Sequence, residues 1–378
     1  FPGKDELPVK KGEVIAYSGN SGGSNGPHLH FEMRLEATQT PVNPMLFGFE
    51  VKDYIRPKIN WLKVIPSGPG SLVNGKDQAR VFRIDGWGDQ HRVKDHDTIR
   101  VAGPFSLAVN TWDKLNGANN KNGVYAVQLF ADDSLVYEHE LEKFDFVETR
   151  YINSLIDYYE YKENQRRYQR SEIDPNNHLS IYGKVKNSGI LYFDGGGLHR
   201  LEYVIRDFHG NISRLPIVIR AEEYTDPAGF PPPEGAVYFS TVNRNAFSAE
   251  NISMEVPGSC LYRDLWFEYS TDSMPEGAFS RVHRLHTDRV PVHKHFSVQI
   301  TPDSIPDKYD KLLLARITDE GEYIPYLGEW RDTYFEASLR SFGDFVIVMD
   351  TIPPEINSVN IASGIIKKGR KTVKVKID

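Results

Sequence analysis

Apolar and polar residues alternate with period two along much of the chain, in short runs separated by turn-forming residues. Apolar stretches recur at 61–65, 81–84, 98–101, 105–109, 124–130 and 135–137, with turns such as Lys121-Asn122-Gly123 and Asp132-Asp133 between them. They resume at 179–182, 189–193, 198–205 and 215–220, where Asp207-Phe208-His209-Gly210-Asn211 reads as a hairpin turn. Strands at this spacing predict an antiparallel β-sandwich. One stretch, 149–170, departs from the rhythm: Ile152, Leu155, Ile156 and Tyr159 fall at helical spacing, which predicts a helix or helical turn packed on the sandwich. The tyrosines there, Tyr151, Tyr158, Tyr159, Tyr161 and Tyr168, suit core packing and surface contact at least as well as a sugar platform. Pro231-Pro232-Pro233 marks a stiff linker, and a second β-domain follows.

The first fifty residues carry the strongest local signal. Val14-Ile15-Ala16-Tyr17 is a short apolar strand, followed by a loop over 18–27 with four glycines and a proline. Strict alternation then sets in. His28, His30, Glu32 and Arg34 fall on one face, and Leu29, Phe31, Met33 and Leu35 on the other, which predicts a strand with one buried face. Two histidines at i and i+2 of a strand point the same way, roughly 6–7 Å apart. One imidazole can then bind a metal while the other handles a proton on the metal's water. The glycine-rich loop, including Gly22, Gly23 and Asn25, lets a substrate backbone approach closely. Glu32 shares the histidine face and is read as the partner of an ion pair with a neighbour, because i, i+2 and i+4 positions spread three ligands too far along a strand.

Composition narrows the function classes. The 378 residues suggest two or three domains, and 39% hydrophobic with 26% charged residues suits a folded protein. The net charge of −7, with both signs mixed along the chain, excludes a general nucleic-acid binder held by bulk charge. No apolar run approaches the roughly 20 residues of a membrane span. The single Cys260 cannot form an intrachain disulfide and is read as a packed, inert thiol. The alternating 372–378 segment stops without pairing partners, and with Phe1 at the start it reads as part of a longer polypeptide.

Residues 12–22, then Gly26-Pro27-His28-Leu29-His30-Phe31-Glu32-Met33-Arg34, then Val42-Asn43-Pro44, resemble the end of a lysostaphin/LytM-type zinc metallopeptidase domain. The resemblance implies a hydrolase that cuts peptides of bacterial peptidoglycan in the cell wall, periplasmic or secreted. It implies zinc as cofactor, His30 as a zinc ligand and His28 as a catalytic histidine. It also implies an upstream His-x-x-x-Asp motif that supplies the other ligands. No histidine precedes His28, so these residues alone are expected to be inactive. The expected fold is mainly β: a C-terminal piece of a LytM-type domain (1–50) followed by tandem immunoglobulin-like sandwiches at 51–225, with the helical insertion, and at 236–350. The linker lies at 226–235, and a further truncated sandwich starts at 351–378, where Ile352-Pro353-Pro354-Glu355-Ile356-Asn357 echoes Ile55-Arg56-Pro57-Lys58-Ile59-Asn60. The expected partners are peptidoglycan peptides and a cell-envelope protein. The alternative function is a non-catalytic envelope-binding or scaffolding protein with a degenerate peptidase domain. Other motifs read as background. His91 and Asp95 match His-x-x-x-Asp in a solvated loop, His283 to His295 lie on a polar strand face, and Lys367 to Lys371 guard a strand edge.

Overall fold

The computed structural model describes residues 6–19, 26–227, 231–305, 311–351, 353, 355–358 and 375–377. The chain is mainly β, as the alternation predicts, and the strands form two sandwiches.

The first sandwich faces a five-stranded sheet against a seven-stranded one. Lys58–Pro66 lies in the middle of the smaller sheet, between Phe105–Trp112 and Arg80–Asp85. In the larger sheet, Ala126–Ala131, Gly197–Arg206 and Ile212–Glu222 are neighbours. Pairing is antiparallel except where Ile212–Glu222 meets Ile99–Ala102. Alternate residues of the facing strands, among them Leu62, Val64, Leu107, Leu129, Tyr203 and Ile217, close the core. The turn at 207–211 is held by Asp207, whose Oδ1 accepts from the Asn211 backbone N–H at 2.8 Å.

The helical stretch is interrupted. Ile152–Leu155 forms one turn, Ile156 is extended (φ −89°, ψ 156°), and Tyr158–Asn164 starts anew with Asp157 as N-cap. Leu155 and Ile156 are buried, but Ile152 and Tyr159 are exposed, so the expected apolar face holds only at its centre. The reason lies in the sheet below. Buried Lys63 reaches up to Asp157 (2.6 Å) and Glu160 (3.0 Å), which fixes where the second helix begins. Tyr168 is fully buried, so it serves packing.

The second sandwich is built from two five-stranded sheets around Phe239, Phe267, Phe296, Phe342 and Phe345. It contacts the first through the helical insertion. Arg150 donates to the carbonyls of Val292 (3.0 Å) and Arg340 (3.2 Å), and Tyr262 Oη donates to Arg150 O at 2.6 Å. Asn176 Nδ2 donates to Ser259 O (2.9 Å) and Leu261 O (2.8 Å). Arg263 pairs with Glu172 at 2.8 Å and with Asp174, both also held by Arg170. Burial pushes the Glu172 and Asp174 carboxyls up, but the two guanidiniums outweigh it and hold both below the usual range. A cleft of about 240 Å³, lined by Asp157, Tyr158, Glu172, Tyr262, Arg263 and Arg289, opens beside this network.

Beyond the second sandwich, Ile356–Ser358 pairs with Val375–Ile377, whereas Lys367 to Lys371 lie outside the described residues. No helix among the described residues is long and apolar enough to cross a membrane.

Candidate functional site

The segment carrying His28 and His30 is extended but hardly paired. Among the described residues its ladder is Met33–Arg34 with Pro41–Val42. The expectation of a strand with one buried face over 28–35 is therefore corrected: Leu29 is 85% and Phe31 58% exposed. Alternation supplies an apolar face, but a strand needs a neighbouring strand and a covering layer, and no sheet among the described residues covers these side chains. The Phe31 ring meets the Phe49 ring edge-on, 5.6 Å away.

The two histidines turn to different local partners. His28 Nδ1 donates to Gly26 O at 3.0 Å. His30 Nε2 lies 3.5 Å from Glu32 Oε1, and its side chain is 74% exposed. Glu32 also bonds Arg34, and that hydrogen bond, with help from His30, holds its carboxyl below the usual range. Gly22, Gly23 and Asn25 lie outside the described residues.

The segment is anchored just downstream. Asn43 N–H donates to Glu142 O at 2.7 Å, Val42 forms a bridge with Lys143, and Thr40 Oγ1 donates to Asp145 Oδ2 at 3.2 Å. The Arg34 guanidinium stacks 4.9 Å over Phe146. Asn43 then caps the short 3₁₀ turn Pro44–Phe47, which Gly48 closes at φ 76°. Pro44 at its start needs no N–H donor there, so the Val-Asn-Pro sequence works as a stop signal that turns the chain towards the sandwich.

Residues 4–44 match the family model described as peptidase family M23. This stretch is similar to a peptidase family. The match contains the whole Gly-Pro-His-Leu-His-Phe-Glu run and about a tenth of the chain. Residues 236–350 match the model described as a Zu5-like domain, which covers the second sandwich. No curated protein matches the chain.

Peptidases of this kind imply a metal, so the donor set matters. Among the described residues, the single group of three close His, Cys, Asp or Glu donors is Asp53, Asp207 and His209, away from His28 and His30. Catalytic zinc takes three protein ligands. The described residues around His28 and His30 therefore do not fit zinc by themselves.

The other histidine motifs are structural. His91, expected in a solvated loop, is buried. Its Nδ1 donates to Gly88 O at 2.7 Å and its Nε2 accepts from Ile59 N–H at 3.4 Å, so the ring tightens the loop onto the first sheet. His283 and His293, expected on a polar strand face, are buried as well. His283 Nδ1 lies 2.9 Å from Tyr269 Oη. His293 stacks on Tyr151 at 4.2 Å and bonds Tyr262 Oη at 3.2 Å, placing it at the contact between the sandwiches. Burial pushes both imidazoles down to about 4, so they are neutral packing groups. Cys260 is buried, its thiol pushed up to about 11 by burial, which makes it unreactive. Sequence reasoning missed the Arg170–Glu172–Asp174–Arg263 network and the Asp53, Asp113, Asp207 group, because no local spacing announces residues that meet only in the fold.

Proposed function

We propose that the chain is part of an exported zinc endopeptidase that hydrolyses peptide bonds of bacterial peptidoglycan in the cell envelope. The observation that carries this reading is the peptidase-family match over the stretch containing Gly26-Pro27-His28-Leu29-His30-Phe31-Glu32. In a completed centre His30 would supply one ligand, and the remaining protein ligands would come from outside residues 6–44. His28 is the second imidazole, exposed and close enough in sequence to act on protons beside that ligand. Gly22, Gly23 and Asn25 are the residues proposed to meet the peptide backbone, since glycine carries no side chain to hold it off. The sandwiches hold this unit on the wall or on an envelope partner.

Two measurements test it. These 378 residues alone release no peptides from purified peptidoglycan, and turnover by them would contradict the reading. The protein from the complete reading frame contains stoichiometric zinc by elemental analysis, and His30→Ala removes both the zinc and the turnover, by at least about a hundredfold. A complete protein with neither zinc nor turnover would instead support the second reading, a non-catalytic envelope-binding scaffold. That reading is favoured by one observation: two interlocked sandwiches make up most of the described chain.

A further inference from the structure

Three segments converge at the end of the first sandwich where the chain enters it. The entry segment brings Asp53, the loop after Phe105–Trp112 brings Asp113, and the turn after Gly197–Arg206 brings Asp207 and His209. They are tied together by main-chain contacts. Asn211 Nδ2 donates to Asp53 O at 3.2 Å, Tyr54 N–H to Asn116 Oδ1 at 3.3 Å, and Ser213 Oγ to Pro57 O at 2.6 Å. The three aspartates are 3–4% exposed.

One donor atom each of Asp53, Asp207 and His209 lies within 4.8 Å of the others. Asp207 is oriented by Asn211, whose N–H and Nδ2 reach its two oxygens at 2.8 and 2.7 Å. Asp53 Oδ1 accepts from Ile55 N–H at 3.1 Å. Among the described residues its Oδ2 has no hydrogen-bond donor, and it lies 3.9 Å from His209 Nδ1. Asp113 Oδ1 is likewise buried with no donor. The charges of Asp207 and Asp53 act on the Asp113 carboxyl from beside it. A buried carboxylate oxygen without a partner costs on the order of 1–3 kcal/mol or more. Two of them beside a third carboxylate call for positive charge at this point.

We infer that Asp53, Asp207 and His209 hold a divalent cation, with the Asp113 carboxylate beside them as a further donor, directly or through water. The two carboxylates balance the charge of the ion, and the His209 imidazole supplies a nitrogen donor beside them. An imidazole among oxygen donors suits Zn²⁺ or Mn²⁺, and the carboxylates without it suit Ca²⁺. The ion clamps the entry segment, which continues directly from the peptidase-like stretch, onto the first sandwich. The inference does not depend on the peptidase reading.

The test adds calcium, manganese or zinc chloride separately to the EDTA-treated 378-residue chain and follows the thermal midpoint and binding heat. At least one ion binds with one-to-one stoichiometry and raises the midpoint by about 5–10 °C at a hundredfold excess over its dissociation constant. Asp53→Asn abolishes the response, whereas His30→Ala keeps it, which separates this site from the peptidase-like segment. His209→Ala weakens binding of the responding ion at least about tenfold, whereas a response of unchanged affinity in His209→Ala would overturn the assignment of His209 as a ligand. Without metal, Asp113→Asn melts at or above the parent midpoint because it relieves like-charge repulsion, so this variant reports on the cluster without a folding defect. Failure of all three ions to shift the midpoint, or a response that survives Asp53→Asn, would overturn the proposal.

Discussion

The chain contains the pattern His-x-His-Phe twice, and the two copies end in opposite environments. At 28–31 both histidines are exposed, Phe31 is 58% exposed, and the ladder begins only beyond them. At 293–296 the strand Phe296–Ile300 is sealed between two others, Phe296 is 2% exposed, and His293 is stacked under Tyr151. The same four-residue spacing thus yields two accessible imidazoles in one place, and in the other a neutral packing group, His293, beside an exposed His295. Availability for chemistry is set by what covers the strand, because burial in low dielectric removes the charged form of histidine and closes its nitrogens to other partners.

The largest expected difference between the copies lies in their phenylalanines. Phe296→Ala destabilises the second sandwich by about 3–5 kcal/mol in urea unfolding, the cost of an aromatic cavity in a packed core. Phe31→Ala changes stability by less than about 0.5 kcal/mol. Equal losses would mean that the first segment is packed after all.

Next comes acid. His293 and His283 titrate near 4 in the folded chain against 6.5 when unfolded, so the unfolded state binds more protons between these values. Their contribution to stability is fully present above pH 6.5 and is lost as pH falls towards 4. The slope approaches about 1.4 kcal/mol per pH unit for each histidine. The charges of Arg340, Lys294 and Arg150 act with burial on His293, and those of Asp303 and Arg281 act on His283. A His283→Phe, His293→Phe double variant flattens the profile in this window. An unchanged profile would show that neither ring is held neutral by the fold.

The smallest effect separates the histidines themselves. His293→Ala costs about 1–2 kcal/mol through loss of the Tyr151 stack and the Tyr262 bond, whereas His30→Ala changes the unfolding free energy by less than about 0.5 kcal/mol. A His30→Ala loss as large as that of His293→Ala would assign His30 to structure.

Much of the fold was legible locally. The alternation at 198–205 and 215–220 becomes the long hairpin Gly197–Arg206 with Ile212–Glu222, and the polar run at 207–211 is its turn. Period-two patterns identify buried faces wherever a sheet supplies a partner. At 28–35 the pattern was equally clear and misleading, since periodicity records which face is apolar but not whether anything covers it. The helical spacing at 152–159 was legible too, yet the break at Ile156 depends on Lys63, whose partners lie in another element. Lys63 itself reads only as the polar member of a strand.

The sequence by itself therefore determined the β-rich class, the turns and the peptidase-like run around His28 and His30, because each rests on neighbours along the chain. Tertiary structure alone decided which histidines are covered, how Arg263 joins the two sandwiches, and that Asp53, Asp113 and Asp207 share one buried corner. Those outcomes depend on strand pairing between distant segments, and no local spacing encodes the dielectric or the company a side chain acquires when remote strands close around it.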